Sequence, residues 1–187
     1  IFAFTAAPVT VFLSGIIGSQ FSPVKSLATL PMALSIVGIA IFAIFAAKVM
    51  SIIGRRAGFI FASIISSLSS LLAAYSIIIE SFILFNFACF LLGAGVAFSH
   101  QYRFAAVETV KKDMAPKAIS IILLAGIGSA FIGPNVANIT KDIIAEHLYA
   151  GSYIALAALT LTSIIFLLFY KDGHKPNRIN KKTSRSY

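Results

Sequence analysis

The chain of 187 residues is 59% hydrophobic and 11% charged, with a mean hydropathy of +0.95 and a formal net charge of +9. Soluble domains carry about 25% charged residues, so the composition excludes that class and describes an integral membrane protein. The positive charge has no aromatic platform or recognition fold beside it, which argues against a nucleic-acid partner, and the single Cys89 excludes an internal disulfide framework.

A membrane-crossing helix needs about 20 mostly apolar residues. Six windows qualify: Ile1 to Ile17, Leu27 to Ala47, Ala57 to Ile79, Phe82 to about Arg103, Ala118 to Ile139, and Tyr149 to Tyr170. They do not alternate with the dyad period of an outer-membrane barrel, so the fold class is all-α. The opening residue is Ile and no basic segment precedes the first apolar run, which reads as a fragmentary start rather than a signal peptide. Residues 1–170 are expected to form a six-helix transmembrane bundle, and 171–187 a basic linker or tail lying against anionic headgroups.

Basic residues set the expected orientation, because cytoplasmic loops are enriched in Lys and Arg. Thirteen fall on one side of the six spans, including Lys48, Arg55, Arg56, Arg103, Lys111 and Lys117, and only Lys25 and Lys141 on the other. The basic side and the C-terminal tail are therefore expected in the cytoplasm. Phe82 to Phe98 runs without a turn signal into Ser99–Glu108, so the fourth span is expected to extend as a helix into this polar cluster. Charged groups in hydrocarbon must meet a partner, a water-filled cavity or the interface. Arg103 either snorkels to headgroups or, with Glu108, pairs across the bundle end.

Three local patterns carry more information. The connection from Ala47 to Arg56 is a tight basic turn in which Gly54 precedes Arg55 and Arg56. Cys89-Phe-Leu-Leu-Gly93-Ala-Gly95 places small residues where helices can approach closely. The fifth span carries Gly126, Gly133 and Pro134, and a proline there removes an amide and kinks or loosens the helix. No metal-ligand spacing, phosphate loop or nucleophile–base pair is visible, and no cofactor or enzymatic activity is expected. His100, His147 and His174 lie on separate segments, which argues against a metal site.

In order and sidedness these patterns resemble the major facilitator superfamily of transporters. Its members carry Gly-x-x-x-Asp-Arg-x-Gly-Arg-Arg between the second and third spans. This chain keeps Gly54, Arg55 and Arg56 but has Ala47, Ser51 and Ile52 at the Gly, Asp and first Arg positions. Cys89 stands where the family's fourth span has an Arg, so that arginine's proton-linked role does not carry over. The Gly133-Pro134 pair is similar to the family's fifth-span motif, without the Gly pair that follows it in proton-coupled exporters. The Tyr102-Arg103-Phe-Ala-Ala106 stretch resembles a bacterial subgroup that includes riboflavin-type uptake proteins.

The resemblance implies half of a twelve-span fold, the N-terminal six helices with a 3+3 inverted repeat, whose C-terminal six-helix partner lies outside this sequence. It implies a secondary transporter of a small organic solute in a bacterial inner membrane, working by alternating access, with protons as a coupling ion to test. Candidates for lining the solute cavity are Thr5, Thr10, Asn86, Tyr102, Asn135 and Asn138. Candidates for a cytoplasmic gate are Arg55, Arg56, Arg103 and Glu108, and the packing or kink positions are Gly93, Gly126, Gly133 and Pro134. A complete six-span channel or scaffold is the alternative, though paired Asn-Pro-Ala loops of water channels are absent.

Overall fold

The computed structural model describes residues 1–169, so the expected basic tail at 171–187 lies outside the described residues. A short 3₁₀ turn at Phe2–Phe4 leads into α1 (Ala6–Phe21), followed by α2 (Leu30–Ile53), α3 (Arg55–Ile78), α4 (Phe82–Ser99), α5 (Tyr102–Thr109), α6 (Ala115–Ile139) and α7 (Ala150–Leu168). Six of these segments are long and apolar enough to cross a membrane, with α4 and α5 together forming one of them, Phe82–Glu108.

The boundaries follow from local chemistry. Pro31 and Pro116 sit in the first turns of α2 and α6, where a missing amide costs nothing. Gly54 has φ of 88°, a conformation that admits the reversal between α2 and α3 in one residue. Ser81 caps α4 by accepting a hydrogen bond from the Leu84 amide at 3.4 Å. The fourth span differs from expectation: α4 ends at Ser99, a turn at His100–Gln101 follows, and α5 restarts at Tyr102. Tyr102 stacks on Phe59 of α3 at 3.9 Å with planes 7° apart, so the chain bends to keep that ring against the bundle.

Helix α4 is the centre of the packing, with α2 on one flank and α3 on the other. At the α2–α4 crossing the backbones nearly touch. A Cβ on Gly38 would lie 2.2 Å from the Phe90 carbonyl oxygen, and one on Gly93 would lie 2.2 Å from that of Ser35. Glycine is required at both positions, as in other small-residue crossings within membranes. The α3–α7 seam is small and polar. The Ser63 and Ser163 hydroxyls meet at 2.8 Å, and Ser67 donates to the Ala157 carbonyl at 3.3 Å. Val9, Leu13 and Ile17 of α1, Phe85 and Leu92 of α4, and Tyr153 and Leu156 of α7 close the core.

Helix α6 lies at the margin, with only Ser129, Gly133 and Ala137 buried. Gly133 is a packing point, since a Cβ there would come within 3.1 Å of Val9 on α1. Gly126 has nothing within 4 Å of its Cβ position and makes no close crossing among the described residues. The helix continues through Pro134 to Ile139.

Candidate functional site

The six spans alternate in direction, so the α2–α3 turn, α5 and the end of α7 share one end of the bundle. This is the end rich in Lys and Arg in sequence. A second apolar cluster underlies it, built from Met50, Phe59, Phe98, Ala105 and Leu167, with Tyr102 packed against it. Gly54 ends α2 so abruptly that the two arginines after it begin α3 on top of this cluster.

Those arginines do different things. Arg55 donates through Nε to Glu108 Oε2 at 3.0 Å and through Nη2 to Oε1 at 2.6 Å, a two-pronged match of guanidinium to carboxylate. The pair joins the α2–α3 turn to α5 across 53 residues of sequence. Arg56 donates through Nη2 to the Leu168 carbonyl at 2.6 Å, satisfying a terminal acceptor of α7. Together the two side chains tie three elements at one bundle end. The Arg55 and Glu108 side chains are 23% and 49% exposed, so solvent screens the pair and it adds only about 0–1 kcal/mol to stability. Arg103 is exposed and makes no ion pair among the described residues.

The six cavity candidates do not converge on one pocket. Thr5 is buried and donates to the Phe2 carbonyl at 2.7 Å, ordering the turn before α1. Asn86 is buried in α4 and gives its amide to Phe82 O at 2.7 Å, while its Oδ1 is unpartnered. Tyr102 belongs to the aromatic stack at the basic end, between Phe4 and Phe59. Asn135 and Asn138 share an exposed face of α6 near its Ile139 end, and Asn135 donates to Phe131 O at 2.7 Å.

Thr10 is the exception. Its side chain is 2% exposed and its hydroxyl has no partner. It lines a small cavity of about 40 Å³ between α1, α2 and α4, walled by Val11, Ser35, Ile36, Leu92 and Gly93. Val11 and Ile36 are each about half exposed, at 48% and 54%, so the cavity lies directly under the outer surface between α1 and α2. A buried hydroxyl left unpaired costs about 1–3 kcal/mol, which makes it a polar group waiting for a partner. Sequence alone placed Thr10 among equals, because its isolation depends on which backbone carbonyls are within reach.

The chain is 30% identical over 179 residues to the riboflavin transporter RfnT of Brucella anthropi, an alignment covering 94% of this chain and 45% of that protein. It is 28% identical over 172 residues to the uncharacterized MFS-type transporter YdeG of Bacillus subtilis, covering 89% and 40%. The chain thus spans less than half the length of these relatives. No solved structure matches it. The sequence model of the Major Facilitator Superfamily matches residues 1–186. The members of that family are transporters, and this chain, an all-helical bundle with six membrane-length helices among the described residues, is a member of the major facilitator superfamily.

Proposed function

We propose that the chain is the N-terminal six-helix half of a secondary transporter that moves a small organic solute by alternating access. A C-terminal six-helix half completes the solute path between the two bundles, near the bilayer midplane. The thirteen-to-two distribution of Lys and Arg supports a cytoplasmic basic end, and the bacterial relatives support the cytoplasmic membrane of a bacterium as the location.

The observation that carries the gating part of this reading is the two-pronged Arg55–Glu108 contact. We assign it to the state in which the basic end is closed. Opening that end separates the α2–α3 turn from α5 and releases the pair. A contact of about 1 kcal/mol is too weak to hold the fold together. It shifts a two-state equilibrium about fivefold, so the pair biases the gate toward its closed state and is one of several contacts that set it. Arg56, bonded to the Leu168 carbonyl at the end of α7, keeps α7 moving with the turn. Arg103 remains a headgroup contact at the interface.

Glu108 is also the group through which protons would act. Among the described residues every carboxylate lies at a span end, namely Glu80, Glu108, Asp113, Asp142 and Glu146. Of these, Glu108 holds a cation whose release opens the gate. Thr10 is the solute contact nearest mid-depth, its hydroxyl free to bond a polar group entering between α1 and α2. Riboflavin, the solute named for the relative from Brucella anthropi, is the first to test.

The test is exchange of labelled solute in proteoliposomes containing the protein that carries this chain. The Glu108→Gln variant, inserted at normal levels, should lose most transport and keep solute binding. Unchanged transport would overturn the gate, and no binding of any flavin would overturn the substrate.

A further inference from the structure

A separate feature lies on the opposite flank of α2 from the Thr10 cavity. Helices α2 and α3 both pack tightly on α4 but touch each other little away from the Gly54 turn. They leave a crevice of about 400 Å³ whose floor is Leu91 and Ala94 of α4. Its walls are Phe42 of α2 and Ile65, Leu68, Ser69 and Leu72 of α3, with Ser69 the one polar residue among them. Leu68 is 61% exposed, so the crevice is open along its outer side. All three helices are membrane-crossing segments and these positions lie near their middles, so the crevice sits at hydrocarbon depth.

Something must fill it. A void of this size forfeits dispersion contacts along every wall. Water needs two to four polar partners, and these walls offer only the Ser69 hydroxyl. A solute on a transport path needs oriented polar groups, and those of this bundle lie elsewhere. An acyl chain needs neither and is available at that depth.

Charge at one end of the crevice identifies the rest of the occupant. On α2, Ile41, Phe45, Lys48 and Ile52 follow at helical spacing as one exposed stripe, and the Phe45 ring lies 6.3 Å from that of Phe42 in the crevice wall. Lys48 lies six residues beyond Phe42, or about 9 Å closer to the basic end. Its side chain is exposed and makes no hydrogen bond or ion pair among the described residues. That offset and the snorkelling length of the lysine side chain together span the ~15 Å from mid-bilayer to the headgroups, so an acyl chain reaching into the crevice has its phosphate within reach of Lys48. Neighbouring Arg55 and Arg56, though engaged with Glu108 and Leu168, add to the positive field there.

We propose that the α2–α3 crevice is a binding site for one anionic phospholipid, with an acyl chain between Phe42 and Leu68 and its phosphate on Lys48. The chain contains no Trp, so a single introduced Trp is a clean reporter within it. Leu68→Trp places an emitter on one wall, and Phe45→Trp, 56% exposed and beside the wall residue Phe42, places a second should the first fail to insert. Phe131→Trp, on the 70% exposed face of α6, reports ordinary surrounding lipid. Each protein is reconstituted in phosphatidylcholine vesicles containing dilute phosphatidylglycerol or phosphatidylcholine with brominated chains, which quench Trp on contact.

The expected result is that brominated phosphatidylglycerol binds beside Leu68→Trp about fivefold more tightly than brominated phosphatidylcholine, the worth of one lysine near the headgroups. Phe131→Trp should show no preference, and Lys48→Gln should abolish the preference at Leu68→Trp while leaving quenching by both lipids. Equal quenching by the two lipids would overturn the site, as would persistence of the preference in Lys48→Gln. No quenching at Leu68→Trp or Phe45→Trp would mean that protein fills the crevice, and would also overturn it.

Discussion

The α2–α4 crossing makes the sharpest structural prediction. Gly38→Ala puts a methyl group 2.2 Å from the Phe90 carbonyl oxygen, where ordinary contact begins near 3.4 Å. The obstructing atom is helical backbone, so no side-chain rotation relieves it. The two helices must part by roughly 1 Å over the crossing, at a cost near the upper end of the 1–3 kcal/mol typical of overpacking. Gly93→Ala meets the Ser35 carbonyl at 2.2 Å and the Ile39 nitrogen at 2.9 Å, and should cost as much. Gly15→Ala and Gly126→Ala are the controls, because nothing lies within 4 Å of either Cβ position. They should be neutral or stabilising by up to about 1 kcal/mol, since alanine favours the helix. The assay is thermal unfolding in detergent, read with a thiol-reactive fluorogenic dye. Cys89 is the only cysteine and is fully buried, so labelling reports loss of the fold. Equal melting temperatures for Gly38→Ala and Gly126→Ala would refute the close crossing.

Other substitutions test the remaining contacts. A Cβ on Gly95 would meet Ser66 Oγ, a side-chain atom, so Gly95→Ala should destabilise less than Gly38→Ala and be partly rescued by Ser66→Ala in the same melting assay. Ser63→Ala removes the 2.8 Å contact to Ser163, whose hydroxyl also donates to the Thr160 carbonyl; the loss should be only about 0.6 kcal/mol, the average for such bonds within membranes. Thr10→Val deletes an unpaired buried hydroxyl and should raise the melting temperature by the equivalent of about 1 kcal/mol, while solute binding weakens. If binding is unchanged, Thr10 is not a solute contact. Arg56→Ala should speed amide exchange in the last turn of α7 without altering α1, because its guanidinium bonds Leu168.

How much of this was legible in the sequence depends on the kind of interaction. The spans are apolar composition summed over about 20 residues, and the structure keeps all six with shifted ends. Gly54 was readable because a reversal this short needs a positive φ. The bend at His100–Gln101 was not, because no Gly or Pro marks it. It follows from Tyr102 stacking on Phe59, a contact between residues 43 apart in sequence. Gly126 and Gly133 look alike in the fifth span, yet only Gly133 meets a neighbour, since it faces Val9 and Pro8 of α1 while Gly126 faces open space. The isolation of the Thr10 hydroxyl and the crevice between α2 and α3 are properties of three helices at once, and no one-dimensional pattern encodes them.

The central claim is that Arg55 and Glu108 hold the basic end closed, and a charge exchange in the transport assay tests it most directly. Arg55→Glu and Glu108→Arg should each cut solute exchange about tenfold or more, by placing like charges where the α2–α3 turn meets α5. Combining them restores the attraction with its sense reversed, and the double variant should recover a large part of the wild-type rate. Recovery no better than the product of the two single losses would mean that the residues act independently, and the gate assigned to this pair would be wrong.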